Sequence, residues 1–88
     1  MAATTSDPFL QRLTLATIDA GARAVIVDVV GGDALAQRLI DQGLWPGVEV
    51  RRITHAIGGD PILFALHGYR LALRVDEARR IVVRGSSL

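Results

Sequence analysis

The stretch from residue 31 to 47, GGDALAQRLIDQGLWPG, constrains the fold more than any other part of the sequence. Asp33 is typical of a helix N-cap, because its carboxylate can accept the free backbone N–H groups of the first helical turn. Strong helix formers follow it, and Gly43 supplies the positive-φ residue that commonly ends a helix. Pro46 prevents the helix from continuing. We therefore predict a short helix capped at both ends, followed by a tight turn that displays Trp45.

Five short apolar runs with turns between them predict β-strands. They cover residues 22–30, 48–56, 61–69, 70–74 and 81–83. In the first run Val25, Val27 and Val29 share one face and Ile26 lies on the other, which predicts a strand covered on both sides near its middle. Five short strands with one embedded helix favour a small, strongly bent β-barrel, because closure removes the edges that a small sheet exposes. A short helical turn is expected at residues 75–80, with an ion pair between Asp76 and Arg80.

The second strand contains a break in its alternation. Ile53 is apolar at a position where strict alternation would place Arg52 on the apolar face. A slip of one residue is what a β-bulge produces, so we predict a bulge at Arg51 or Arg52. If Ile53 faces Phe64 across the following hairpin, that bulge brings Val50 opposite Leu66 on the core face.

Composition limits the functional classes. A chain of 88 residues supports one domain with a modest core, and its net charge of +1 is too small for long-range attraction to DNA or membranes. We therefore expect no direct nucleic-acid binding. Cysteine is absent, which excludes disulfides, thiolate metal sites and thiol catalysis. Neither a bilayer-spanning run nor a secretory signal is recognisable, so we expect a cytoplasmic protein without membrane insertion.

Four motifs occur in a fixed order along the chain: GG at 31–32, GL-x-PG at 43–47, GDPI at 59–62 and GYRLALR at 68–74. In this order and spacing they resemble the FeoA family, the small cytoplasmic proteins of bacterial ferrous iron transport. The resemblance implies a mostly β fold: an SH3-like β-barrel with one inserted α-helix at residues 13–84. Tails would flank it at 1–12, partly disordered, and at 85–88. Trp45 stands at a variable position of the GL-x-PG turn.

The resemblance also implies a function and a partner. The family acts with FeoB, the membrane permease that carries a cytoplasmic G-protein domain. The expected function is therefore a non-enzymatic accessory or regulatory protein that binds the cytoplasmic part of the permease. The same fold occurs as the C-terminal domain of DtxR-like metal-dependent repressors, so a module associated with such a repressor is the alternative. A self-associating homo-oligomer is a third.

Nucleotide binding and catalysis receive little support from the residues. Glycines before a helix can bind phosphate, but the phosphate-loop lysine is missing and Asp33 would repel an anion. His55 and His67 lie on different predicted strands, and no serine stands in a nucleophile context. We expect no catalytic residues and no cofactor. A closed metal site needs three or four convergent ligands, so only adventitious metal at His55 or His67 is expected.

A contact surface is the remaining candidate. An exposed tryptophan beside a proline is costly unless it covers the core edge or meets a partner, and aromatics with arginines typically anchor interfaces. The predicted partner-binding residues are Leu44, Trp45, Pro46 and Gly47, with Arg51, Arg52, Tyr69 and Arg70 as a polar rim. The alternative is that Trp45 only caps the barrel and the arginines are solvated.

Overall fold

The computed structural model describes residues 13–54 and 59–86, and within them the chain forms one antiparallel sheet and two helices. The elements are β1 Arg23–Val29, α1 Ala34–Asp41, β2 Glu49–Thr54, β3 Ile62–Leu66, β4 Tyr69–Leu73, α2 Val75–Ala78 and β5 Ile81–Gly85. The mostly β fold class, the inserted helix and the short helical turn near the C-terminus are thereby confirmed. The tail predicted at 1–12 lies outside the described residues.

The strands are ordered β4-β3-β2-β1-β5 in the sheet. Over the described ranges the ladder ends at β4 and β5 without joining them, so hydrogen bonds do not close the barrel there. The segment before β1 covers β5, since the Val83 N–H donates to the Leu13 carbonyl at 2.9 Å and the Leu15 N–H donates to the Ile81 carbonyl at 3.1 Å. The outer edge of β4 has no such neighbour among the described residues.

The core lies between α1 and the inward face of the sheet. β3 alternates as predicted, with Ile62, Phe64 and Leu66 buried and the two residues between them half-buried. The largest fully buried side chains are Phe64, Leu15, Ile26, Leu39, Leu44, Ile62, Leu73, Ile81 and Val50. Burying each such side chain contributes on the order of 1.5–3 kcal/mol, which makes this cluster the main source of stability.

β1 differs from the prediction at its middle. Ala24 and Ile26 face the core, but Val27 is 48% exposed. The pairing of β1 with β5 shifts between Ile26 and Asp28, which marks a bulge, and Val29 then packs against the core. The prediction of a strand covered on both sides is wrong at Val27. Val27 is the extra residue of the bulge and points to solvent, so the run of valines does not require a second packed layer on that side of β1.

The bulge in β2 is also not where the sequence predicted it. Arg52 stands opposite Phe64, and the register shifts between Arg52 and Thr54, so the extra residue is Ile53. The predicted irregularity in this strand is therefore present directly after Arg52 rather than at Arg51 or Arg52, and the expected pairing of Ile53 with Phe64 is wrong. Arg52 points into the fold, where its Nη1 donates to the Ile18 carbonyl at 2.7 Å. A charged side chain can occupy this inward position because a backbone acceptor lies within its reach.

The prediction of an ion pair between Asp76 and Arg80 is wrong, because the two residues have other partners. Helix α2 ends at Ala78, so Arg80 no longer lies one helical turn from Asp76. Asp76 pairs instead with Arg79 at 3.0 Å, and Arg80 reaches the start of α1, where it pairs with Asp33 at 2.6 Å. Strand β5 continues to Gly85, two residues beyond the predicted strand.

Candidate functional site

The N-terminus of α1 is occupied by its own carboxylate. Asp33 Oδ1 accepts the Ala36 N–H at 3.1 Å, which confirms the predicted N-cap, and it also accepts from Arg80 Nη1 at 2.6 Å. The hydrogen bond from Arg80, followed by the bond from the Ala36 backbone, lowers the pKa of Asp33 below its ordinary value of 3.8. A negative charge therefore stands where an anionic ligand would have to bind.

The C-terminus of α1 closes as the sequence predicts. Gly43 has a φ of 103° and donates its N–H to the Ile40 carbonyl at 2.9 Å, while the Leu44 N–H donates to the Leu39 carbonyl at 3.3 Å. These two bonds form a Schellman ending. Leu44 and Leu39 are both fully buried. Of the predicted contact residues, Leu44 therefore belongs to the core, and it anchors the turn that follows it.

Trp45 is held in a fixed orientation although much of it is exposed. The side chain is 53% exposed, and its Nε1 donates to the Ile40 carbonyl at 2.6 Å. The backbone of the turn is bonded on both sides, from the Val48 N–H to the Trp45 carbonyl at 3.1 Å and from the Gly47 N–H to the Ile26 carbonyl at 2.8 Å. The indole is thus presented to solvent from a turn tied to both α1 and β1.

The hairpin between β3 and β4 brings two more rings beside Trp45. Its two-residue turn, His67 and Gly68, has φ values of 52° and 80°, as a type I′ turn requires. His67 stacks on Tyr69 with centroids 6.1 Å apart and meets Trp45 edge-on at 6.4 Å. The Tyr69 hydroxyl donates to the Gln42 carbonyl at the end of α1. The three rings therefore join the hairpin to the end of the helix.

We call Trp45, Pro46, His67 and Tyr69 the aromatic surface, and all four are exposed. The structure brings together Trp45, Pro46 and Tyr69, which the sequence assigned to one contact surface. It adds His67, which the sequence considered only as a metal ligand. The sequence does contain a signal for His67 that the prediction did not use. A His-Gly pair between two apolar runs is compatible with a two-residue hairpin turn, and the side chains of such a turn lie beside the residues of the flanking strands.

The predicted rim arginines are not all at this surface. Arg52 is 8% exposed and directed to Ile18, so it is not a surface residue. Arg51 and Arg70 are exposed, and both pair with Ala65 on β3, on the face of the sheet turned away from the core. Successive strand residues point to opposite faces, so Arg70 and Tyr69 leave β4 on different sides.

Within residues 13–54 and 59–86, no three His, Cys, Asp or Glu side chains lie close enough to hold a metal ion. His55, one of the two predicted adventitious ligands, falls outside these ranges, and His67 is exposed with its ring beside those of Trp45 and Tyr69. None of the helices described there is long and apolar enough to cross a bilayer.

Comparison with known proteins identifies the fold and the family. A family model described as the FeoA domain matches residues 13–85. The zinc-complexed FeoA of Stenotrophomonas maltophilia, described as a prokaryotic SH3 domain protein, is 37% identical; the match covers 82% of this chain and 89% of that one, with a TM-score of 0.71. FeoA from Chlorobium tepidum is 33% identical, with 85% and 71% covered and a TM-score of 0.78. The expected SH3-like fold is confirmed by these likenesses.

A more distant likeness is shared with metal-dependent regulators. A manganese-dependent transcriptional repressor is 15% identical over 86% of this chain and 37% of its own length, with a TM-score of 0.77. At that identity the likeness shows a shared fold alone. Among proteins of curated function, the search finds no sequence match. Because the FeoA domain model spans residues 13–85 of 88, the chain belongs to the FeoA family.

Proposed function

We propose that this chain is a non-enzymatic accessory protein of ferrous iron transport, which acts in the cytoplasm by binding the cytoplasmic part of an FeoB permease through the aromatic surface. Family membership supports the transport role, and the FeoA of Stenotrophomonas maltophilia is described as a candidate ferrous iron transport activating factor. The observation that carries the proposed site is the exposure of Trp45 in a turn that several hydrogen bonds hold in place.

The aromatic surface has the properties of an interface anchor. With 53% of its surface exposed, Trp45 offers about 100 Å² of largely apolar area, worth about 2.5 kcal/mol if a partner covers it. The Trp45 bond to Ile40 and the Tyr69 bond to Gln42 order both rings before any partner arrives. Because side-chain ordering is a main cost of association, rings ordered in advance leave more of the contact energy for binding.

Contact of this kind can regulate a permease without chemistry. A protein that binds one conformation of a partner more tightly than another shifts the partner toward that conformation, by no more than the difference in affinity. The proposed mechanism is therefore a population shift in the permease, carried by contact with its G-protein domain or the adjoining core region. The aromatic surface needs no catalytic group for this role.

A titration of this protein with the purified, detergent-solubilised FeoB permease from the same organism, which contains both the G-protein domain and the core region, tests the partner and the site. We expect Trp45→Ala to weaken the interaction by about 30-fold, as is typical when a central aromatic anchor is truncated. Val27→Ala is the matched control, because Val27 is also a large exposed apolar side chain, at 48%, but lies on β1. Equal affinity of the two variants would contradict the site, and no binding of the unsubstituted protein would contradict the partner.

The repressor-associated alternative has a different signature. It predicts that this chain binds the DNA-binding protein encoded beside it, rather than a permease domain. The fold likeness to the manganese-dependent repressor is compatible with it but shows no shared role at 15% identity. A pull-down with both candidate partners separates the two functions.

A further inference from the structure

The face of the sheet turned away from the core carries a row of arginines. Strand pairing sets Arg23 opposite Arg51. It also sets Arg51 opposite Ala65, and Ala65 opposite Arg70. A single cross-strand row therefore runs over β1, β2, β3 and β4, with a small alanine between two of the arginines. At about 4.8 Å between neighbouring strands, the row is about 14 Å long.

A fourth arginine lies beside this row. Arg84 of β5 stands opposite Val25, which is two residues from Arg23 on the same face of β1. All four arginines are exposed. From here on, the name arginine row covers all four of these residues: Arg23, Arg51 and Arg70 of the cross-strand line and the neighbouring Arg84.

Within residues 13–54 and 59–86, no carboxylate forms an ion pair with the arginine row. The ion pairs formed there involve other arginines: Arg38 with Glu77, Arg74 with Asp60, Arg79 with Asp76 and Arg80 with Asp33. Like charges placed directly opposite each other on neighbouring strands destabilise a sheet, so folding gains nothing from Arg23 facing Arg51. The net charge of +1 does not reveal this local positive surface, because the other arginines are balanced by carboxylates elsewhere in the chain.

We propose that the arginine row binds an acidic segment of a protein partner, whose carboxylates supply the missing counter-charges. The guanidinium group suits this role, because its planar fork donates two parallel hydrogen bonds to one carboxylate. A segment lying across the strands meets Arg23, Arg51 and Arg70 in turn, and Ala65 leaves room for it between the last two.

The surroundings of the row favour a protein over a membrane or a nucleic acid. Val25, Leu63 and Ala65 are half-buried residues of the same outward face, and such a mixture of arginine with aliphatic surface is typical of protein interfaces. Glu49, opposite Val25 on that face, interrupts the positive charge beside the row. A bilayer or a nucleic acid is held chiefly by dense, uninterrupted positive charge.

This surface is distinct from the aromatic surface and does not depend on the function proposed for it. Tyr69 and Arg70 are adjacent on β4 and therefore point to opposite faces of the sheet. Either surface could fail its test while the other passes. The two tests use different variants and different ligands.

Fluorescence anisotropy with a labelled decaglutamate peptide at low ionic strength tests the proposal. We expect Arg51→Gln/Arg70→Gln to bind the peptide about fivefold more weakly than the unsubstituted protein, since each lost surface pair contributes modestly. The matched control is Arg38→Gln/Arg79→Gln, which also removes two exposed arginines, but from the helical side of the molecule. We expect the control to bind like the unsubstituted protein.

The thermal midpoint of the row variant verifies folding, and it should not fall, because the substitution relieves the repulsion between Arg23 and Arg51. Equal weakening in both double variants would show a response to total charge and overturn the proposal. Absence of peptide binding by the unsubstituted protein would overturn it as well. So would tighter, row-dependent binding of phosphatidylglycerol-containing vesicles or of single-stranded oligothymidine, because the occupant would then be a membrane or a nucleic acid.

Discussion

Gly43 connects the end of α1 to the aromatic surface, and its replacement by alanine tests that connection. Gly43 and Gly47 both have φ in the left-handed region, at 103° and 93°. A Cβ added at Gly47 meets no atom within 4 Å, whereas one added at Gly43 lies 2.5 Å from the Tyr69 hydroxyl oxygen. Gly47→Ala therefore measures backbone strain alone, and Gly43→Ala measures strain plus a collision with Tyr69.

The two costs can be estimated separately. An alanine forced into the left-handed region loses about 1–2 kcal/mol of stability. At Gly43 the Tyr69 hydroxyl must also move away and give up its hydrogen bond to the Gln42 carbonyl, which adds about 1 kcal/mol. We therefore expect Gly43→Ala to lower the free energy of unfolding by about 2–3 kcal/mol and Gly47→Ala by about 1–2 kcal/mol.

Urea denaturation followed by circular dichroism measures these differences, and a double-mutant cycle isolates the collision. In the Tyr69→Phe background the hydroxyl is gone and the closest remaining ring carbon of residue 69 lies 3.8 Å from the added Cβ. Gly43→Ala should then cost no more than Gly47→Ala does in the unsubstituted protein, a coupling of about 1 kcal/mol. Equal costs at the two glycines, with additive effects in the double variant, would refute the contact between Tyr69 and the helix end.

Two further predictions concern Asp33 and the register of β2. Because the hydrogen bond from Arg80 is the largest cause of the lowered pKa of Asp33, Arg80→Gln should move that pKa toward 3.8, which NMR titration of the carboxyl group measures. Because the pKa of Asp33 is lower in the folded state than in the unfolded state, the resulting stabilisation is present above pH 3.8 and is lost as the pH falls through the folded-state pKa. The Arg80→Gln variant should therefore lose less stability over that pH range than the unsubstituted protein. A pKa of Asp33 that Arg80→Gln leaves unmoved would contradict the pairing. Arg52→Ala should cost about 1–3 kcal/mol in a denaturant titration, since it leaves the Ile18 carbonyl without its donor, whereas exposed Arg51→Ala should change stability by less than about 0.5 kcal/mol. The opposite order of costs would show that Arg51, and not Arg52, points into the fold, which would contradict the observed register of β2.

The elements that the sequence predicted well are those whose causes are local. The Asp33 cap acts on Ala36, three residues away, and the Gly43 ending acts on the preceding turn of the same helix. The inward face of β3 follows from alternation over five residues, Ile62–Leu66. The FeoA motifs were readable for the same reason, because turns that need positive φ leave glycines at set positions in the chain.

The incorrect predictions share a different cause. Alternation in β2 favoured Ile53 over Arg52 on the core face, because a periodicity argument treats every charged residue as outward. The acceptor that allows Arg52 to point inward is the Ile18 carbonyl, 34 residues away in sequence. The partner of Arg80 was assigned to a neighbour in the helix, yet the side chain reaches Asp33, 47 residues away.

The two proposed surfaces show the same contrast between local and long-range causes. The sequence by itself determined a capped helix, a rigid turn displaying Trp45 and the strands around them, because hydrogen bonds and steric limits within a few residues decide those features. Only the tertiary structure decided that His67 and Tyr69 stand beside Trp45 and that Arg23, Arg51 and Arg70 form one row. Both arrangements depend on strand register and on the docking of the β3–β4 hairpin against α1, which are set by contacts between residues far apart in the chain.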